Sequence, residues 1–375
     1  MLIKKINYIA EFNLPSSSAY SIHVLKICDS FSNLGFLVSL IIPFKSFSYN
    51  FLDIKKDYNL KNNFLIKSVF KKKNINFIYR FIFAINVLKI CFHSNKNMII
   101  ISRSIISSIL LSIFQKKNIL ELHHDLKGFT KFFFLLVNIN LVRRNIKFIL
   151  IHKNLLNFYS CINKKNCIIL DDAVSLEDFA KYKKYNLKKK NHRICAYFGS
   201  LTAGKGLEII LSISQILKNI KFHIYTDLNL LNKKKICEHS NIKFFDHISY
   251  SMVPKVISKY DLVLMPYQKF VRVRSSNLET SRFMSPLKLF DYLASCKIIV
   301  ASNLKVYSHI LKDRYNSILL NPKDVKGWAE IIDNIFDNYN KFSYLKKNAF
   351  TTAANYTWDN RVKNILKFNK NSNDY

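Results

Sequence analysis

The stretch RICAYFGSLTAGKGLEIILSISQIL, residues 193–217, decides the fold class. Arg193–Phe198 is a short apolar run that predicts a strand, and Gly206–Leu217 has apolar residues at helical spacing. The loop between them holds three of the 6 glycines in the chain. A strand, a glycine-rich loop and a helix in this order indicate an α/β sheet with an anion site at the helix N-terminus.

The same alternation runs along most of the chain. Lys5–Ile9 and Leu37–Ile42 are predicted strands, and Ser21–Leu34 between them is a predicted helix. Such a crossover implies a parallel sheet covered by helices. Further strands are predicted at 98–101, 119–122, 147–151, 167–170, 221–225, 242–245, 261–265 and 297–301. Further helices are predicted near 104–115, 131–142, 153–162, 252–258 and 286–294.

The length of 375 residues suits two domains. The polar, lysine-rich segment Asp171–Lys190 separates two α/β series of similar size. We therefore predict an α/β protein with two Rossmann-like, doubly wound domains. Ligands of such sheets bind beyond the carboxyl ends of the strands, so the loops after strands are the places to seek chemistry.

The composition limits the partners. The net charge of +35 attracts the protein to anionic surfaces. However, only 10 of the 59 basic residues are arginines and the lysines are dispersed, which argues against a nucleic-acid partner. Seven cysteines without a C-x-x-C pair indicate reduced thiols and no zinc site. With no signal-peptide pattern, we expect a cytoplasmic protein, either free or peripheral on the anionic inner membrane.

The loop Gly199–Gly206 is the first candidate site. Its glycines let backbone N–H groups approach an anion, and Lys205 can reach the same anion. The alternative is a turn with an ordinary surface lysine. The loop also scans as G-x-x-x-x-G-K, but Gly206 stands where a P-loop needs Ser or Thr for magnesium. This favours phosphate binding over an NTPase.

The segment SPLKLFDYLA, residues 285–294, is the second candidate site. Ser285 is predicted to cap a helix in which Pro286 is the first residue. Asp291 lies on or beside the apolar stripe of that helix, where a carboxylate needs a partner, and a nucleotide ribose is one candidate. Lys288 could meet a phosphate near the helix start. The alternative is a local Lys288–Asp291 surface pair.

Two histidine-containing segments complete the set. Residues 121–127, ELHHDLK, follow a predicted strand and could orient a sugar or a proton donor. His123 and His124 would point to opposite faces, so their joint metal ligation is disfavoured. In the loop 15–23, His23 is either part of a ligand site or an ordinary residue of a helix-capping loop.

Taken together, these segments resemble the retaining glycosyltransferase family 4, which has the GT-B fold. The resemblance is carried by YIAEFNLP (8–15), CIILDDAVSLEDF (167–179), YFGSLTAGKG (197–206), SPLKLFDYLA (285–294) and YTW (356–358) with Arg361. It implies an acceptor domain over 1–175, a nucleotide-sugar domain over 176–355, the two facing across a cleft, and a helix over 356–375 that crosses back to the first domain.

The resemblance also implies site roles. Lys205 would bind the diphosphate of the donor, with Gly199, Ser200 and Gly206 beside it. Asp291 would take the ribose-binding position, and His123, or else His124, would lie near the sugar. Backbone groups of Pro286 and Leu287 and the side chain of Lys288 would contact the donor. No metal and no cofactor would be required, because positive side chains and helix ends take charge from the leaving group.

The sequence departs from the family pattern at several positions. Ser200 replaces a common diphosphate-binding Arg, and Phe283 replaces the first acid of the E-x7-E pair. Arg272, Arg274 or Lys288 could restore the lost positive charge. The expected function is transfer of a hexose-type sugar from a nucleotide-diphosphate sugar to a glycan or lipid-linked acceptor, in synthesis of surface polysaccharide or lipopolysaccharide. The alternatives are a P-loop-like NTPase, a degenerate non-enzymatic GT-B protein and a basic nucleic-acid-binding protein.

Overall fold

A computed structural model describes residues 4–73, 76–92, 98–126, 128–159, 162–182, 193–230, 239–273 and 276–370. The chain forms two compact units. The first unit comprises Met1–Asp171 and Trp358–Tyr375, and the second comprises Asp172–Thr357. The predicted junction Asp171–Lys190 starts at this boundary, and its last part lies outside the described residues. So do Cys161, Cys237, Lys127 and Arg274.

The first unit contains a seven-stranded parallel sheet with the order β5-β3-β1-β6-β7-β8-β9. Its strands are β1 Lys5–Ile9, β2 Asn13–Leu14, β3 Leu37–Ile42, β4 Phe44–Lys45, β5 Leu65–Ser68, β6 Met98–Ser102, β7 Asn118–Leu122, β8 Ile146–Leu150 and β9 Cys167–Ile169, of which β2 and β4 pair separately. Its helices are α1 Ala19–Asn33, α2 Phe51–Tyr58, α3 Phe77–Phe92, α4 Ile105–Ile113, α5 Gly128–Phe134 and α6 Asn140–Arg143. The helix predicted over 131–142 is instead broken into α5, a 3-10 turn and α6.

The second unit contains a six-stranded parallel sheet with the order β12-β11-β10-β13-β16-β17. Its helices are α7 Leu176–Ala180, α8 Leu207–Ile216, α9 Val253–Ile257, α10 Leu287–Ala294, α11 Val325–Asp337 and α12 Ser343–Ala353. Its strands are β10 Ile194–Phe198, β11 Lys221–Tyr225, β12 Ile242–Phe245, β13 Leu262–Met265, β14 Arg272–Val273, β15 Ser276–Glu279, β16 Ile298–Ser302 and β17 Ile318–Leu320. The last helix of the chain, α13 Trp358–Lys370, belongs to the first unit and packs on α1.

Alternation along the strands explains why helices cover both faces of the second sheet. On β10, Cys195 and Tyr197 join the core formed with α8 and α11. Ala196 and Phe198 point the other way and join the core that contains α10. Successive side chains of a strand alternate between faces, so a strand that is apolar throughout must be covered twice. The prediction of two Rossmann-like, doubly wound α/β domains is confirmed.

The same topology brings the candidate residues to strand ends. Parallel strands share one carboxyl edge, where the loops after β7, β10 and β13 emerge. His123 follows β7, and the loop with Lys205 follows β10. Within the described ranges, no helix combines the length and apolarity needed to cross a bilayer.

Candidate functional site

Two lysines of the second unit meet at one aromatic ring. Lys205 ends the loop after β10, and its Nζ lies 4.5 Å from the ring centre of Tyr267 and 3.4 Å from its hydroxyl oxygen. Lys288, in the first turn of α10, has its Nζ 3.9 Å from the ring centre of Tyr197 and 5.0 Å from that of Tyr267. The negative faces of these rings attract the cations, which fixes both lysines in the same region.

The electrostatics of this lysine pair are unfavourable without an anion. The Nζ of Lys288 is buried and has no hydrogen-bond partner in the part of the chain that the structure describes. Burial lowers the pKa of Lys205 to about 8. Burial, together with the charge of Lys205, holds the pKa of Lys288 well below its usual range. The alternative of a local Lys288–Asp291 surface pair is therefore wrong, and a bound anion would relieve both penalties.

The glycines of this loop have steric roles that the sequence did not reveal. A Cβ on Gly204 (φ +82°) would lie 1.7 Å from the carbonyl oxygen of Phe270, and one on Gly206 (φ +90°) would lie 2.0 Å from that of Pro266. These two glycines therefore let the loop pack on the 266–271 backbone, which corrects the interpretation that all three serve an anion. Only Gly199 (φ +134°) faces the ammonium, because its Cβ would lie 2.6 Å from the Nζ of Lys288.

The start of α10 also differs from the prediction. The helix begins at Leu287 with Pro286 as its N-cap, one residue later than expected. The hydroxyl of Ser285 accepts the backbone N–H of Asp172 instead of capping α10. The prediction of a Ser285 cap is therefore wrong. Ser200 lies half-buried in the loop after β10, and its carbonyl accepts the hydroxyl of Tyr197 at 2.9 Å. The donor-binding roles of Pro286, Leu287 and Ser200 stay predictions.

Asp291 is buried on α10, as its place in the apolar pattern indicates. Its Oδ1 accepts the hydroxyl of Tyr250 at 3.0 Å. Burial and the nearby Asp291 carboxylate raise the pKa of Tyr250, so this phenol stays protonated and donates. Sequence reasoning missed Tyr250, which lies in a serine-rich turn without a motif. Phe283, at the position of the usual first acid, is a buried apolar residue and leaves Asp291 as the acid of this pair.

The first unit holds a second polar cluster, centred on Glu121 at the end of β7. The Oε1 of this buried carboxylate accepts a hydrogen bond from a guanidinium nitrogen of Arg361 at 2.6 Å. It also lies 2.8 Å from Nε2 of His123 and 2.9 Å from Nε2 of His23. Its Oε2 accepts the hydroxyl of Tyr8 at 2.7 Å. We call these five residues the Glu121 cluster.

The charges of the Glu121 cluster fix the state of His123. Burial alone would raise the pKa of Glu121, but His23, Arg361 and His123 together hold it well below its usual range. Burial and the charge of Arg103 lower the pKa of His123 to about 3. His123 is therefore neutral near pH 7. Because its Nε2 faces a carboxylate, Nε2 carries the proton and Nδ1 is the acceptor.

The structure distinguishes the three histidines. His124 is exposed, with its Nδ1 2.8 Å from the carbonyl oxygen of Asp125, and it stands outside the Glu121 cluster. His23 lies inside this cluster, with ring centres 4.8 Å from His123 and 5.1 Å from Trp358. The sequence left His23 open between a ligand site and an ordinary residue of a capping loop. In the structure it contacts the same carboxylate as His123, while Ser18 caps α1.

The Glu121 cluster could also be considered as a metal site. Ligand atoms of His23, Glu121 and His123 lie within 4.8 Å of one another. However, the guanidinium of Arg361 already lies against the Oε1 that would face the ion. Two positive charges on one carboxylate oxygen would repel, so these residues fit a hydrogen-bonded network better than a cation. The prediction that no metal is needed stays a prediction.

Arg361 is the functional residue that sequence reasoning used least. It lies on the buried face of α13 together with Trp358, Val362 and Ile365. A further guanidinium nitrogen donates to the carbonyl oxygens of Leu170, at 2.5 Å, and of Asp171. An arginine on the apolar face of a helix must find acceptors when it is buried. That spacing was the available signal.

Comparison with known proteins agrees with this geometry. The family model of glycosyl transferases group 1 matches residues 178–352. This range lies within the second unit and contains Lys205, Lys288 and Asp291. No match is found among curated protein sequences. The resemblance is thus supported at the level of group 1 glycosyltransferases, while family 4 itself stays a proposal.

Solved structures of similar fold span the whole chain. A glycosyltransferase from Rickettsia africae ESF-5 superposes with a TM-score of 0.74 at 14% identity, over 98% of this chain and 100% of the other. Alr3699/HepE from Anabaena, in complex with UDP and glucose, gives 0.69 at 13%, over 97% and 99%. TarM from S. aureus gives 0.72 at 11%, over 98% and 100%. At such identities the likeness shows the fold, and that fold is GT-B.

Proposed function

We propose that this protein is a retaining glycosyltransferase of family 4. It would transfer a hexose-type sugar from a nucleotide-diphosphate sugar to a glycan or lipid-linked acceptor, in synthesis of cell-surface polysaccharide or lipopolysaccharide. The observation that carries the proposal is the lysine pair, Lys205 and Lys288. Two buried ammonium groups with no anionic partner lie in the unit that matches glycosyl transferases group 1. A diphosphate is an anion that would satisfy both.

The lysine pair supplies the chemistry of the leaving group. Transfer breaks the bond between the anomeric carbon and a phosphate oxygen of the donor, and negative charge develops on the diphosphate. Ammonium groups already positioned by Tyr197 and Tyr267 would stabilise that charge without reorganisation. This arrangement gives Lys288 the role of the missing Arg at position 200.

Asp291 is proposed to bind the ribose of the donor, as the resemblance implies. A carboxylate can accept hydrogen bonds from ribose hydroxyls. The Tyr250 hydroxyl would hold this carboxylate in one orientation through its 3.0 Å hydrogen bond. Tyr250 is therefore a positioning residue in the proposal.

His123 is proposed to act near the sugar. Its neutral ring is held by Glu121, which Arg361 and Tyr8 fix in turn. The Nδ1 of His123 can then accept a hydrogen bond from a hydroxyl of the donor sugar or of the acceptor. Retention of anomeric configuration rests on the resemblance to family 4.

The competing functions have less support. A P-loop-like NTPase needs a hydroxyl after the lysine and a loop whose glycines face phosphate. Here Gly206 follows Lys205, and both Gly204 and Gly206 pack against the 266–271 backbone. A nucleic-acid-binding protein has no use for two ammonium groups buried against tyrosines, because phosphate backbones are bound by accessible basic side chains.

A thermal-shift screen with UDP-, GDP- and ADP-sugars tests the proposal. A ligand at about 100 times its Kd stabilises a protein by about 2.7 kcal/mol, so one of these donors should raise the melting temperature by several degrees. Lys205→Ala and Asp291→Ala should lose this shift, and Lys326→Ala, an exposed lysine on α11, should keep it. If no donor stabilises the wild type, the proposal fails. NMR of the released or transferred sugar tests retention, and an inverted product would contradict it.

A further inference from the structure

The outward face of α3 and of the α5–α6 segment is apolar. On α3 the buried face consists of Phe83, Ala84, Val87 and Cys91, which already pack into the unit. The opposite face should be polar in a helix that faces water. Instead, both segments expose large apolar side chains, which we call the apolar patch: Phe77, Ile78, Phe81, Ile82, Ile85, Phe129, Phe132, Leu135 and Ile139.

The members of the apolar patch on the two segments are in contact. The rings of Phe77 and Phe129 have centres 4.3 Å apart, and those of Phe81 and Phe133 are 6.2 Å apart. Ile78 is 64% exposed and Phe132 is 69% exposed. A continuous exposed patch of this kind marks an interaction site, whereas scattered single side chains would not.

The charges around the apolar patch favour one kind of partner. Residues 71–150 contain 14 Lys and Arg but only two acids, Glu121 and Asp125. Glu121 is buried in the first unit. Exposed basic residues flank the patch, namely Lys71–Lys73 before α3, Lys89 on α3 and Lys131 between Phe129 and Phe132. Apolar side chains suit the acyl boundary of a bilayer, and lysines suit its anionic headgroups.

We propose that the apolar patch docks this protein on an anionic lipid bilayer. The helix α3 lies along the surface, with Ile78, Ile82 and Ile85 in the acyl boundary. Lys71–Lys73 and Lys131 contact the headgroups. This inference goes beyond the sugar chemistry proposed above and does not depend on it, because the patch and the lysine pair belong to different units.

Vesicle flotation of the full chain tests this docking. Vesicles of phosphatidylcholine with about 30 mol% phosphatidylglycerol should bind the protein, and pure phosphatidylcholine vesicles should bind it at least about fivefold more weakly. The double variant Ile78→Glu with Phe132→Glu should lower partitioning at least about tenfold. The matched control, Leu52→Glu with Ile216→Glu, changes two exposed residues outside the patch and should bind as the wild type does.

Three results would overturn the docking proposal. The wild type could fail to bind anionic vesicles, or the patch variant could bind as well as the wild type. In the third case, light scattering would show that the patch variant turns a dimer into a monomer while the wild type ignores vesicles, and the patch would then join two copies of the chain. Donor-induced stabilisation of the patch variant is a separate readout, so failure of docking and failure of the sugar chemistry are distinguishable.

Discussion

Replacing Lys205 by Met should stabilise the ligand-free protein. The pKa of Lys205 falls from 10.5 to about 8 on burial, and that gap corresponds to roughly 3 kcal/mol at about 1.36 kcal/mol per pH unit. Methionine has a similar length and no charge to desolvate. It loses the cation–π contact with Tyr267, worth about 1 kcal/mol. The net gain should be about 1–2 kcal/mol, or about 3–6 °C in melting temperature.

The gain should depend on pH with a definite sign. Because the folded-state pKa of Lys205 is lower than the unfolded one, the lysine destabilises the folded protein fully below about pH 8. This penalty disappears as the pH rises towards the unfolded value of about 10.5. The advantage of Lys205→Met should therefore be largest near pH 7 and close to zero near pH 10.5.

Melting curves at pH 7 and pH 9.5, with and without UDP, measure these effects. Lys326→Met is the control, because it makes the same change at an exposed site on α11. The wild type should be stabilised by UDP, and Lys205→Met should start higher and respond to UDP weakly or not at all. A Lys205→Met protein that melts lower than the wild type at pH 7, or responds to UDP equally well, would refute the reasoning.

Three further predictions concern the neighbours of the proposed site. Arg361→Gln leaves Glu121 buried without its charged partner, so urea denaturation should show a loss of about 3 kcal/mol, against no change for the exposed Arg143→Gln; equal stability of both would contradict the pairing. Since the pKa of His123 is about 3, His123→Asn should lower transfer about 100-fold without altering donor-induced stabilisation, and the wild-type rate should show no His123 titration between pH 5 and 7; an equal loss in His124→Asn would reject this role. Tyr250→Phe removes the hydrogen bond to Asp291 and should weaken donor binding about tenfold by calorimetry, whereas an unchanged Kd would remove Tyr250 from the site.

The fold could be predicted where local patterns and tertiary packing agree. β1, β3, β11 and β12 have the predicted bounds, because short apolar runs between turn residues have few alternatives in an α/β chain. β5 was missed because it is a mostly exposed edge strand, so its sequence LIKS lacks the apolar run of an inner strand. The 131–142 stretch is apolar throughout, and its composition gives no sign of the break between α5 and α6.

The candidate site could be predicted only in part, because its partners are distant in sequence. Lys205, Lys288, Asp291 and His123 stand in recognisable segments. Their partners, such as Tyr250 and Glu121, depend on how loops and helices fold together. The contact between Glu121 and Arg361 spans 240 residues, and no local pattern specifies such a pair.

Proton uptake on donor binding is the most direct test of the lysine pair. At pH 8 Lys205 is about half protonated, and Lys288, with its more strongly lowered pKa, is largely neutral. A bound diphosphate favours the charged forms, so binding should take up between about 0.5 and 1.5 protons. Calorimetric titration with the stabilising nucleotide sugar, in two buffers of different ionisation enthalpy, measures this number. Uptake in that range, reduced in Lys205→Met, is the predicted result; binding without proton uptake would contradict the account.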